Sequence, residues 1–204
     1  MRPALGILLA LAACAATPPT LSEPPVELTG GNLLAPLAVI ADAAARDWDR
    51  AGTTLEGQPQ ATALAAARLE WLAGEGRPGG RLAAYPASFR FGLDRARDEV
   101  RANLAIAPDA TPEQTVAALL AARRALAAND AAAVQASLSP PAFRDVQPSP
   151  LRRLSEPGVS PSAQIATAAL REEVARVAAE RGGPLFDAPG RGLTTFGMGG
   201  STDR

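Results

Sequence analysis

The chain has 204 residues, 47% of them hydrophobic and 20% charged, enough for one domain with its own core, although alanine supplies much of the apolar share and aromatics only 4%. Histidine is absent and every basic residue is arginine, which excludes Ser-His and Cys-His nucleophile pairs, imidazole metal ligands, Ser-Lys dyads, Schiff bases and Walker-type phosphate loops, so no cofactor or metal is expected. The 20 basic and 21 acidic residues are interspersed, as in "DRARDEVR" (94–101), and form no stripe for nucleic acid.

The chain opens with a cation at Arg2, the apolar stretch "ALGILLALAA" (4–13), and small residues ahead of Cys14, its single cysteine. That order is the tripartite form of a secretory signal, and the apolar run is shorter than the ~20 residues that span a bilayer. Residues Leu11, Ala12, Ala13 and Cys14 resemble the lipobox of bacterial lipoproteins. The resemblance covers the signal alone. It implies diacylglycerol on the Cys14 sulfur, cleavage before Cys14, and acylation of the new amino terminus, so that residues 1–13 are a signal peptide. Two or three acyl chains hold a protein on a membrane, where one binds only marginally. Because Ala15, not Asp, follows the cysteine, the resemblance favours the outer membrane over the inner. The competing reading is a secretory signal cut after Ala15 or Ala16, which would leave a soluble periplasmic or secreted protein without cysteine. With one Cys there is no intrachain disulfide in either case.

From Cys14 to residue 31 the Pro- and Thr-rich "AATPPTLSEPPVELTGG" (15–31) lacks helical or strand period and reads as a tether. Residues 32–182 read as an all-α domain, a small irregular bundle of five or six helices. The first covers 32–50, with Leu33, Leu37, Ile40, Ala44 and Trp48 on one face and Pro36 in its first turn. The second covers 59–72, ended by "GEGRPGG" (74–80). The aromatic cluster "YPASFRF" (85–91) leads into a third helix over 92–107, striped by Leu93, Ala96, Val100 and Leu104, with Asp94, Arg95, Asp98, Glu99 and Arg101 expected outside.

"TPEQ" (111–114) is the sharpest local signal, a capping box with Pro112 at the first helical position, opening a fourth helix to about residue 128. Val116, Leu119, Leu120 and Leu126 are its apolar residues. "ND" (129–130) turns the chain, and Asp130 caps a short helix carrying Val134 and Leu138. The prolines of "SPPAFRDVQPSP" (139–150) predict an irregular link to about residue 159. A last helix runs from Ser160 and Pro161 to about Arg181, with Ile165, Ala169, Leu170, Val174 and Val177 apolar. The Gly-rich tail, 183–204, has too few large apolar residues to order by itself. "LAA" recurs without a fixed period, so no tandem repeat is read.

Candidate chemistry is sparse. Asp94 and Asp98 lie one turn apart, but Arg95, Arg97 and Arg101 surround them. Glu70 beside Trp71 suggests the acid and platform of a sugar-cleaving site, yet neighbours on a helix point apart. "GRGLTTFGMGG" (190–200) follows no strand and opens no helix, so it is no phosphate loop. The pairs Arg123–Arg124 and Arg152–Arg153 read as solvated faces or as contacts to helix C-terminal carbonyls. The expected function is a structural or protein-interaction role in the cell envelope, lipid-anchored on the periplasmic side, without catalysis. The alternatives are a carrier of a small apolar ligand and a carboxylate-dependent hydrolase of cell-wall glycan, which would need two carboxylates roughly 5–10 Å apart in a cleft.

Overall fold

The computed structural model describes residues 23–180 except 33. The signal, Cys14, most of the expected tether, Leu33 and the Gly-rich tail lie outside the described residues. The described chain is all helical: α1 (Val26–Thr29), α2 (Pro36–Asp47), a short 3₁₀ segment (Asp49–Leu55), α3 (Pro59–Glu75), α4 (Ala87–Leu104), α5 (Pro112–Ala127), α6 (Ala131–Ser137), α7 (Pro150–Ser155) and α8 (Pro161–Glu180). No strand occurs among the described residues, and a single β-bridge joins Ile106 to Phe143.

Helix α3 is the axis of the bundle, packing along α5 and against α2, α4 and α7, while α8 closes the other side on α2 and α4. The alanines decide this geometry. Ala63, Ala65, Ala66 and Ala67 are all fully buried, so α3 meets neighbours on several faces, and side chains of one carbon let the backbones approach. Large residues fill the spaces between: Leu69, Leu72, Leu93, Leu104, Leu119 and Leu154 are each 0% exposed. The expected stripe on α4 is buried as read, Leu93, Ala96, Val100 and Leu104 all lying in the core.

The capping box forms in full. Thr111 Oγ1 accepts from Gln114 N at 3.2 Å, and Gln114 Oε1 accepts from Thr111 N at 3.0 Å. Thr111→Ala leaves the first turn of α5 with an unsatisfied amide and is expected to lower stability by about 1 kcal/mol, read as a shift in the urea midpoint with unchanged slope. Asp130 likewise accepts from Ala133 N at 3.0 Å and opens α6.

Several expectations need correction, and the helix read over 92–107 is one of them: α4 begins at Ala87 and ends at Leu104. The tether does not reach residue 31: α1 packs on α2 and α3, Leu28 is 0% exposed, and Arg68 Nε donates to its carbonyl at 3.1 Å. A four-residue helix is too short for periodicity to reveal it. Gly30 and Gly31, at φ 62° and 93°, turn the chain from α1 towards α2. The first long helix spans only Pro36–Asp47, because Arg50, Ala51 and Gly52 adopt left-handed conformations. The link is not wholly irregular: Ser149 accepts from Arg152 N and Pro150 takes the first helical position of α7. Ile165 is 70% exposed, whereas Ala163, Ala166, Thr167, Leu170 and Val174 form the buried face of α8.

"GEGRPGG" ends α3 three residues later than read, and its last glycine carries the turn. A Cβ on Gly80 would stand 2.2 Å from the Glu75 carbonyl oxygen, so only glycine lets the loop fold back onto the helix end. Leu82 N then donates to that carbonyl at 3.0 Å, and Leu82 itself is fully buried.

Candidate functional site

Three acidic side chains that the sequence scatters over α2 and α3 turn inward, and each meets an arginine. The deepest is Glu70 on α3, its side chain 2% exposed, held by Arg101 of α4 through two parallel bonds: Nε to Oε1 at 2.6 Å and Nη2 to Oε2 at 2.8 Å. Arg101 Nη1 also donates to the Ala110 carbonyl at 3.0 Å and, at longer range, to those of Ala107 and Pro108. One guanidinium therefore ties α3 to α4 and holds the whole α4–α5 turn. Burial pushes the Glu70 carboxyl up, and the Arg101 fork pulls it back. Burial also works against the Arg101 charge, but its bonds to Glu70 outweigh that and raise its pKa.

Sequence reasoning set Glu70 aside and placed Arg101 outside. The available signal was a charge within an unbroken apolar run: Leu69, Trp71 and Leu72 flank Glu70, so on an element packed on several sides any position can be an inner one.

Nearer the surface, Glu75 accepts from Arg81 Nη1 at 2.6 Å and from Arg81 N at 2.8 Å, while the same guanidinium lies 5.4 Å from the Trp71 ring centroid. Asp47 accepts from Arg68 Nη1 at 2.7 Å; burial raises its pKa and Arg68 partly offsets that. Asp94 and Asp98 are bridged by Arg97, at 3.1 and 3.2 Å, and are at least half exposed. That arrangement leaves both carboxylates in solvent, each beside the Arg97 guanidinium.

The two arginine pairs diverge. Arg124 binds Glu27 at 2.6 Å and Arg152 pairs with Glu156, whereas Arg153 Nη1 caps the Asn103 carbonyl at the C-terminal end of α4 at 3.1 Å. Backbone hydrogen bonding, followed by Arg124, holds the Glu27 carboxyl below its usual value.

Among the described residues no group of three or more His, Cys, Asp or Glu could hold a metal ion, and no helix is long and apolar enough to cross a membrane. Two clefts are apolar. One, of about 560 Å³, lies where the end of α5 meets α6 and α7, with Leu126, Val134, Leu138 and Leu151 forming its walls and the exposed Asn129 and Gln135 at its mouth. The other, of about 300 Å³, lies between the start of α2, the α3–α4 loop and the last turns of α8. Neither contains a carboxylate.

These features define an all-α bundle with arginine-locked acids and two apolar hollows. Comparison with known proteins gave no match, neither to a family model, nor to a curated protein, nor to a solved structure.

Proposed function

We propose that the protein is a lipoprotein, anchored through Cys14 and facing the periplasm, whose helical body binds a protein of the cell envelope. The observation that carries this reading is the sequence Leu11-Ala12-Ala13-Cys14 at the end of an apolar run opened by Arg2. The disposition of charge in the body supports a binding role. Its inward-turned carboxylates are each clamped by an arginine, Glu70–Arg101 and Asp47–Arg68 joining helices and Glu75–Arg81 pinning the α3–α4 loop, where a reacting acid would need a cleft and a proton to exchange.

In cells expressing tagged wild type, the protein is expected in the membrane fraction and cross-links to one defined envelope protein. Cys14→Ser is expected to lose both. If the variant fractionates like the wild type and nothing specific is captured, anchor and partner are both refuted.

A second reading rests on the cleft beside α6, which would suit a small apolar ligand, its wall lined by Leu126, Val134, Leu138 and Leu151 with polar groups only at the rim. A fluorescent fatty acid bound by wild type and released by Val134→Asp would favour the carrier over the adaptor.

A further inference from the structure

We propose that the end of the bundle where α2 begins and α8 ends is a lipid-facing surface, with Leu34 inserted among the acyl chains of the bilayer that holds the anchor. The proposal rests on the lipid-anchor reading of Cys14.

Leu34 is 98% exposed. A single exposed leucine is ordinary on a protein surface, but this one adjoins an apolar hollow. Ala35, the next residue, lines the cleft of about 300 Å³ with Leu37, Tyr85, Val174 and Val177. Leu34 thus stands beside a mainly apolar hollow whose one charged lining residue, Arg81, is bound to Glu75, with Tyr85 adding an amphipathic ring of the kind that settles at membrane interfaces.

What would cover this surface follows from where the chain enters the body. Only eight residues lie between Cys14 and Glu23, the first described position, so the tether reaches at most about 30 Å even when fully extended. The body cannot turn freely on its own α1 either. Leu28 is buried, Arg68 holds its carbonyl, and Arg124 holds Glu27. Helix α1 packs on α2, and five residues lie between the buried Leu28 and Leu34. A bilayer anchored at Cys14 is thus held within about 30 Å of Glu23, and a short linker of this kind raises the effective concentration of a weak apolar contact such as that of Leu34. Ile165, 70% exposed, serves as the contrast: it stands on the outer face of α8 and lines neither cleft.

The test uses the lipidated full chain extracted from membranes, in which the Cys14 sulfur is blocked as a thioether. Leu34→Cys or Ile165→Cys is labelled with a polarity-sensitive fluorophore, and the protein is reconstituted in vesicles of phosphatidylethanolamine and phosphatidylglycerol with or without brominated acyl chains. The label at 34 is expected to shift to the blue and to be quenched by the brominated chains, and the label at 165 to remain aqueous. A label at 34 that stays aqueous in the vesicles overturns the surface while leaving the anchor intact. A label at 34 already shielded in buffer on the Cys14→Ser chain, and released by deleting 181–204, assigns the hollow to the chain's own C-terminal residues and overturns the proposal. An intact mass without lipid refutes the anchor, and this surface with it.

Discussion

Replacing Arg101 by methionine is expected to destabilise the folded chain by about 3–5 kcal/mol, because it strands Glu70 as an uncompensated charge with a side chain only 2% exposed. The loss falls at the upper end of that range. The same guanidinium is the donor for the buried Ala110 carbonyl, which would be left without a partner at about 1–3 kcal/mol, whereas the Ala107 carbonyl still accepts from Ala110 N and Pro108 is exposed. Glu70→Gln is the milder change, since glutamine still offers an oxygen to Arg101 Nε while the arginine keeps its carbonyls. The two single variants and the double, unfolded in urea and followed by far-UV circular dichroism, should show the double less destabilised than the sum of the singles, as expected for residues sharing one network. An Arg101→Met variant within 1 kcal/mol of wild type would mean the pair does not lock α3 to α4.

The second large effect is at Trp48. Its side chain is among the largest fully buried ones, 1% exposed at the end of α2, where its amide donates to the Ala44 carbonyl at 3.0 Å. Trp48→Ala opens a void where the ring stood and is expected to cost about 3–5 kcal/mol. Trp48→Phe should cost far less than that. Among the described residues Nε1 of Trp48 is the buried side-chain polar atom without a hydrogen-bond partner, so phenylalanine removes an orphaned donor along with part of the ring. Thermal unfolding of the two variants separates the cases, and equal losses would refute the cavity account, since a phenyl ring would then fill the site no better than a methyl group. The 3₁₀ segment is built around this indole: a Cβ on Gly52 would stand 2.9 Å from Trp48 Cε3, at a backbone φ of +77°. The ring and the glycine are therefore one unit, although nothing in their spacing announces it.

Most of the long helices were legible before any coordinate, for local reasons. The capping box at Thr111 and Gln114, the cap at Asp130 and the stripe through Leu93, Ala96, Val100 and Leu104 are satisfied by residues three or four apart. Their outcome depends on little beyond the helix itself. The errors fall where a distant partner decides. Leu28 looks like tether until α3 lies beneath it, and Arg101 looks solvated until the α4–α5 turn places three carbonyls around it. Ile165 misleads because alanine and threonine, weak signals of burial, form the face of α8 that α4 and α2 cover.

For this protein the sequence by itself determined the all-α class, the positions of the long helices, and the absence of lysine and histidine chemistry, because composition and short-range hydrogen bonding need no fold to act. Only the tertiary structure decided that Glu70, Glu75 and Asp47 would each meet an arginine from elsewhere in the chain, and where two apolar hollows would open. Helices so rich in alanine can pack on several faces, so their periodicity does not single out one inner side. The energy of a buried charge then depends on which arginine the packing brings within about 3 Å.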